Sequence, residues 1–180
     1  SETKGTAAAN LSTSRMIDDI ANEHGCSVIR TAVGEANVAE AMVNNDCVIG
    51  GEGNGGVIDL RVTPVRDSLI GMAMLLHLMA ETGKSISGLV SEIGGYYASK
   101  TKIAADKVAA AKIIEKAKAE FTDAKIDTTD GCRFDFEDGW VHIRTSNTEP
   151  VMRIIVETET EDQAKKYMEV IERIRRKTGS

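Results

Sequence analysis

Apolar residues recur along this 180-residue chain in two different rhythms. In the first half, helix-spaced runs alternate with short apolar runs. Met16, Ile17, Ile20 and Ala21 share one helical face, with Ser12 or Ser14 placed to cap it and Gly25 near its end. Cys26 to Arg30 reads as a short strand, Asn37 to Asn44 as a second helix, and Cys47 to Ile49 as a brief strand running into glycines. Asp67 opens the most apolar segment, Ser68 to Ala80, which Gly83 ends. That segment is apolar nearly all round, which predicts a helix buried within its domain, with Met72, Met74 and Met79 as core filling and His77 as a hydrogen-bonded core residue. A short helix follows from Ser85 or Ser87 to about Ile93.

The second half beats differently. Ile103 to Glu120 is a Lys/Ala-rich amphipathic helix, and Glu161 to Arg176 is another, with Tyr167, Met168, Ile171 and Ile174 facing inward. Between them lie four strand-like pieces: Ala124–Thr128, Cys132–Phe136, Trp140–Arg144 and Val151–Glu157. Asp130-Gly131 and Asp138-Gly139 separate three of them and signal hairpins. His142 alternates with Val141 and Ile143, which puts it on the outer face of its strand. The expected architecture is an α/β mixed-sheet domain over residues 1–93, a hinge at 94–102, and a small α+β domain over 103–180, its four-stranded antiparallel sheet packed with two helices.

Charge sharpens this division. Residues 1–93 hold 6 Lys+Arg and 12 Asp+Glu, whereas residues 94–180 hold 16 of each, so the whole net charge of -6 sits in the first part. Gly94-Gly95-Tyr96-Tyr97 stands at the break. A net charge of -6 argues against a non-specific nucleic-acid binder, which needs a basic surface. No run of 18 apolar residues exists to cross a membrane. Cys26, Cys47 and Cys132 are odd in number, far apart and outside any C-x-x-C spacing. They fit a reducing, cytoplasmic setting and neither a disulfide frame nor a zinc site.

Two constellations carry candidate chemistry. Gly51-Glu52-Gly53-Asn54-Gly55-Gly56 matches G-x-G-x-x-G, but the following Val57-Ile58-Asp59-Leu60-Arg61-Val62-Thr63-Pro64 is strand-forming. The dinucleotide motif needs a helix there, so the loop is not a Rossmann site. Its glycines either let backbone approach a ligand and present Glu52 and Asn54 to sugar hydroxyls, or form a flexible turn with Glu52 in solvent. The second constellation is Arg144-Thr145-Ser146-Asn147-Thr148-Glu149-Pro150, with Arg153 beyond it. Ser146, Asn147 and Thr148 supply successive polar groups and backbone N–H donors, and Arg144 and Arg153 bracket them with guanidinium forks suited to phosphate. The plain alternative is an ordinary hairpin loop with surface arginines.

In this order, about ninety residues apart, the two loops resemble those of the α-D-phosphohexomutases, the family of phosphoglucomutase, phosphomannomutase and phosphoglucosamine mutase. The first is similar to the family's sugar loop G-E-x-S-G-H, and the second to its phosphate loop R-P-S-[GN]-T-E-P. Thr31-Ala32-Val33-Gly34 resembles a third, shorter loop. The resemblance implies that the chain corresponds to domains three and four of a four-domain enzyme; with the first capped helix so near the start, one expectation is a domain three that lacks its first strand. It implies sugar contacts at Glu52 and Asn54 and phosphate contacts at Arg144, Ser146, Asn147, Thr148 and Arg153. It further implies a full-length cytoplasmic enzyme that interconverts hexose 6-phosphate and hexose 1-phosphate through a phosphoserine, a hexose 1,6-bisphosphate and Mg2+.

The sequence departs from that pattern in places. Asn54 and Gly56 stand where the family has Ser and His, Ala32 where a Lys is often found, and Thr145 where Pro is usual. No T-A-S-H-N-P-like serine loop and no D-x-D-x-D-R metal loop occurs. The expectation is a chain with no catalytic residue and no metal ligand of its own, which reads phosphosugar and relies on N-terminal domains for the chemistry. The rival expectation is a stand-alone, non-catalytic phosphosugar- or anion-binding module.

Overall fold

The computed structural model of the chain describes residues 4–146 and 149–178. The chain divides into two compact units, Ser1–Gly95 and Tyr96–Ser180.

The first unit is a five-stranded mixed sheet in the order β2-β1-β3-β4-β5. Its elements are β1 (Ala7–Asn10), α1 (Met16–Glu23), β2 (Val28–Thr31), α2 (Glu35–Asn44), β3 (Ile49–Gly51), β4 (Val57–Asp59), β5 (Thr63–Asp67), α3 (Ser68–Thr82) and α4 (Ile86–Ile93). β1 runs parallel to β2 on one side and β3 on the other, and β4 and β5 add on antiparallel. The sequence reading did not mark β1, which Ala7-Ala8-Ala9 and Asn10 form as an interior strand between β2 and β3. Three alanines carry a helix-forming signal and little strand signal, yet all three lie buried in the sheet. A core of Ala8, Val38, Met42, Cys47 and Ile58 seals α2 to the sheet.

The run from Val57 to Pro64, read as one strand, folds back on itself as β4 and β5. Pro64 is tolerated because β5 is an edge. Asp67 caps α3 by accepting from the N–H groups of Leu69 and Ile70, and Gly83 ends it in the left-handed conformation. The expected burial of this helix is overturned, since no residue of α3 is buried. Leu69 is 71% exposed, Leu76 64% and Met72 52%, while Met74 and Met79 are only half-buried. His77 is exposed and pairs with Glu81 at 3.3 Å. A helix apolar all round needs neighbours on several sides, and this unit offers it contact mainly at β4, where Gly71 approaches Val57.

The second unit is a wholly antiparallel sheet in the order β6-β10-β9-β8-β7. Its elements are β6 (Tyr97–Ala104), α5 (Lys107–Glu120), β7 (Lys125–Asp127), β8 (Cys132–Asp135), β9 (Gly139–Thr145), β10 (Val151–Thr158) and α6 (Glu161–Thr178). The α+β class stands, but the sheet has five strands rather than four. β6 takes up most of the segment read as a hinge and the first residues read as helix. It pairs with β10 over eight residues. Lys100 and Lys102 on this edge strand discourage further pairing. The helix begins only after Asp106, whose carboxylate accepts from Ala109 N–H at 2.7 Å.

Helices α5 and α6 cover one face of this sheet. Ile113, Ala117, Ile171 and Ile174 meet Phe134, Val141, Ile143, Met152, Ile154 and Val156 there. The opposite face is polar yet closed. The Arg133 guanidinium lies 4.2 Å over the Trp140 ring, and Trp140 Nε1 donates to Glu157 at 2.7 Å. His142 is on this face as its alternation requires, but it is buried rather than solvent-facing, with Nε2 2.7 Å from the Asp130 carbonyl. Burial pushes its pKa below the ordinary imidazole value.

Candidate functional site

The glycine loop lies at the carboxyl end of the parallel strands. The chain leaves β1 toward β2 and returns past it to β3, so the ends of these strands flank a topological switch point, where open α/β sheets take ligands. Asn10 ends β1, Thr31 ends β2 and Gly51 ends β3. Glu52 follows directly, and its side chain is buried rather than in solvent, 4% exposed. Asn10 Nδ2 donates to its Oε1 at 2.7 Å, and Gly34 N–H, from the short third loop, donates to the same oxygen at 3.0 Å. Three segments far apart in sequence thus converge on one carboxylate. Arg66 Nη1 lies 3.4 Å from its other oxygen, Oε2. Asn54 is on the exposed rim and accepts from Arg66 Nη1 at 3.1 Å.

Sequence reasoning missed Asn10, Glu35 and Arg66. A turn signal was present for Asn10. It is followed by Ser12 and Thr13, and its Oδ1 accepts from Ser12 N–H and Thr13 Oγ1. Nothing in the local pattern marks Arg66, which reaches the site from β5.

In the second unit, Arg144 and Arg153 are direct cross-strand partners on β9 and β10. Ser146 is buried, and its N–H donates to the Val151 carbonyl at 2.8 Å, closing the loop. Asn147 and Thr148 lie outside the described residues. A cavity of about 310 Å3 opens beside the loop, lined by Thr145, Ser146, Glu149 and Pro150 and, from the start of α5, by Asp106 and Lys107. Arg144 Nε stands 3.1 Å from Asp130 without hydrogen-bond alignment, and Arg153 lies 3.6 Å from Glu149. Among the described residues, the Nε of both arginines is buried with no hydrogen-bond partner. Like charges placed directly across two strands are destabilising, by about 0.2–1 kcal/mol. An anion between them reverses that sign and satisfies guanidinium donors. The two glycine-loop candidates are thus close together, as are the described members of the phosphate-loop set, each set within its own unit.

Among the described residues, no three His, Cys, Asp or Glu side chains converge to hold a metal ion. No helix there is long and apolar enough to cross a membrane.

Comparison with known proteins identifies the class. Residues 1–96 match the family model for phosphoglucomutase/phosphomannomutase alpha/beta/alpha domain III, and residues 98–174 match that for the C-terminal domain. The chain belongs to the phosphoglucomutase/phosphomannomutase family. It is 42% identical over 169 residues to a phosphoglucomutase/phosphomannomutase of Thermococcus kodakarensis, covering 92% of this chain and 37% of that protein. It is 35% identical over 175 residues to a probable phosphoglucosamine mutase of Methanopyrus kandleri, covering 96% and 39%. The fold matches a family protein of Burkholderia thailandensis with a TM-score of 0.80 at 20% identity, over 97% of this chain and 38% of that one. The chain thus spans under two fifths of the length of these relatives.

Proposed function

We propose that this chain supplies the substrate-reading part of a phosphohexomutase, an enzyme that interconverts hexose 6-phosphate and hexose 1-phosphate. In this reading Glu52 and Asn54 take sugar hydroxyls, and Arg144, Ser146, Asn147, Thr148 and Arg153 hold the phosphate that is not reacting. The phosphoserine, the Mg2+ and the handling of a hexose 1,6-bisphosphate belong to parts of the enzyme that precede these two domains. An Aspergillus fumigatus N-acetylphosphoglucosamine mutase of the same fold is described in complex with glucose 1,6-bisphosphate, and in complex with GlcNAc-6P and magnesium. These complexes support the ligand class.

One observation carries the reading: two arginines paired across β9 and β10, each with a buried Nε lacking a hydrogen-bond partner among the described residues, on the two strands joined by a loop whose Thr145, Ser146, Glu149 and Pro150 line a cavity. Charge-assisted hydrogen bonds contribute about 1.5–3 kcal/mol each. Arg144→Ala is therefore expected to weaken glucose 6-phosphate binding roughly 10- to 100-fold, as measured by NMR titration of the chain. Equal binding by the variant, or still amides around Ser146, would overturn the phosphate role.

A further inference from the structure

Arg66 belongs to no motif, yet from β5 it touches the glycine loop at Asn54, Gly55 and Glu52. Its backbone N–H donates to Glu35 Oε1 at 2.7 Å and its Nε to Glu35 Oε2 at 2.8 Å. Glu35 opens α2, so the guanidinium is anchored on a helix rather than on the exposed rim. These hydrogen bonds hold the Glu35 carboxyl below the usual carboxylate range. From that anchor Nη1 reaches Asn54 Oδ1 at 3.1 Å and the Gly55 carbonyl at 3.4 Å, and faces Glu52 Oε2 at 3.4 Å.

Gly56 shows how closely the arginine lies on the loop. A Cβ there would stand 2.8 Å from both Cβ and Cδ of Arg66, and the residue has φ +91°. The stem of Arg66 thus fills the space that a side chain at position 56 would take. The loop can be glycine at 56 because Arg66 supplies what packs over it.

Chemistry then sets the polarity of the site. Arginine is donor-only, so the Asn54 amide must turn its oxygen toward Nη1, which leaves the amide nitrogen as the donor for a ligand. Glu52 Oε1 already takes two protein donors, from Asn10 and Gly34, which leaves Oε2 as the acceptor for a ligand hydroxyl. We infer that Arg66 is a positioning residue: it presents one acceptor, Glu52 Oε2, and one donor, the Asn54 amide nitrogen, as a fixed pair matched to two neighbouring hydroxyls. This rests on the sugar-binding reading of the glycine loop.

The test is NMR titration of the 180-residue chain with glucose 6-phosphate, using wild type, Arg66→Met, Arg66→Lys, Asn54→Ala and the double variant R66M/N54A. Arg66→Met is expected to shift the Asn54 side-chain amide before any ligand is added and to weaken binding about tenfold. Arg66→Lys, with a point charge in place of the fork, falls between. The double variant's loss is expected to be smaller than the product of the single losses, because Arg66 acts through Asn54. Binding by Arg66→Met as tight as wild type, or losses that simply multiply, overturns the proposal while the sugar reading stands. Collapse of the β1 and α2 resonances in both Arg66 variants overturns it too, by making Arg66 a folding residue. If the glycine loop of the wild type does not respond to the sugar phosphate, the sugar reading itself falls and the proposal with it.

Discussion

The two units bury their sheets in opposite ways. The second gathers sixteen buried apolar residues into one cluster under α5 and α6 and even closes its polar face, with Arg133 over Trp140. The first gathers five residues under α2 and leaves α3 and α4 with no buried residue at all. The site of the second unit keeps Arg144 and Arg153 opposite each other on β9 and β10, each near one carboxylate, Asp130 at 3.1 Å and Glu149 at 3.6 Å, and each with a buried Nε that lacks a hydrogen-bond partner among the described residues. The first unit, with less core, builds its site from mutually satisfied groups around Glu52. The difference predicts where substitutions hurt: in the core of the second unit, and in the site of the first.

The largest effect tests the closed core. Phe134 is fully buried and meets Phe121 edge-on at 5.1 Å. Phe134→Ala is expected to destabilise the second unit by about 3–5 kcal/mol. Trp140 is the single tryptophan and lies in this unit, so its fluorescence during urea unfolding reports that loss directly. A cost below about 1 kcal/mol would mean the core is looser than its burial implies.

A smaller effect separates the two sites. Glu52→Ala strips the acceptor from Asn10 Nδ2 and Gly34 N–H, and leaving a buried donor unpaired costs about 1–3 kcal/mol. Arg153→Ala removes one of two like charges facing each other across β9 and β10, so stability is expected to stay within about 0.5 kcal/mol or to rise slightly. Thermal unfolding of the two variants side by side checks both signs. If Arg153→Ala costs as much as Glu52→Ala, the arginine is a structural partner rather than a waiting ligand.

What was legible in the sequence follows the same divide. Hairpins at Asp130-Gly131 and Asp138-Gly139, helix caps at Asp67 and Ser85, and the two arginines at strand ends are local signals, and each is where its chemistry put it. The fold class was readable because alternation and helical spacing rarely mislead over long runs. β1 was not, because Ala-Ala-Ala says nothing about the two neighbours that surround it. β6 was hidden by a Lys/Ala composition that continues into α5. Arg66 and Asn10 were beyond reach, because their roles arise only where β1, β3 and β5 are brought together. The all-round apolar pattern of α3 pointed to burial within its domain, and the structure overturns that, because a pattern shows what a helix could bury and not which neighbours the fold brings to it.

Acid sharpens the comparison next, through a group on the closed polar face. His142 is held below its ordinary pKa first by burial, with Asp130 opposing that shift and the charges of Arg133 and Arg144 adding to it. The folded state therefore binds its proton less readily than the unfolded chain. Its contribution is fully present above about pH 6.5 and is lost as pH falls below that toward the lower folded value. Urea midpoints of the second unit, read by Trp140 fluorescence, should drop between pH 7.5 and pH 5.5. His142→Gln, which cannot take up a proton, should flatten that drop. A wild type and variant with parallel pH profiles would show that the imidazole is protonated alike in both states.

The smallest effect probes the open helix. Leu76 sits in the most apolar stretch of the chain, where the hydrophobic pattern alone predicts the 2–5 kcal/mol cost of emptying a buried leucine site. It is instead 64% exposed. Leu76→Ala is therefore expected to change the stability of the first unit by less than about 0.5 kcal/mol, the range of ordinary surface substitutions. The measurement is amide exchange of β1 and α2 at two protein concentrations tenfold apart. A large loss at the higher concentration alone would mean that copies of the chain cover one another's α3. A large loss at both would mean that the helix packs within its own unit, and the contrast between a closed and an open core would fall.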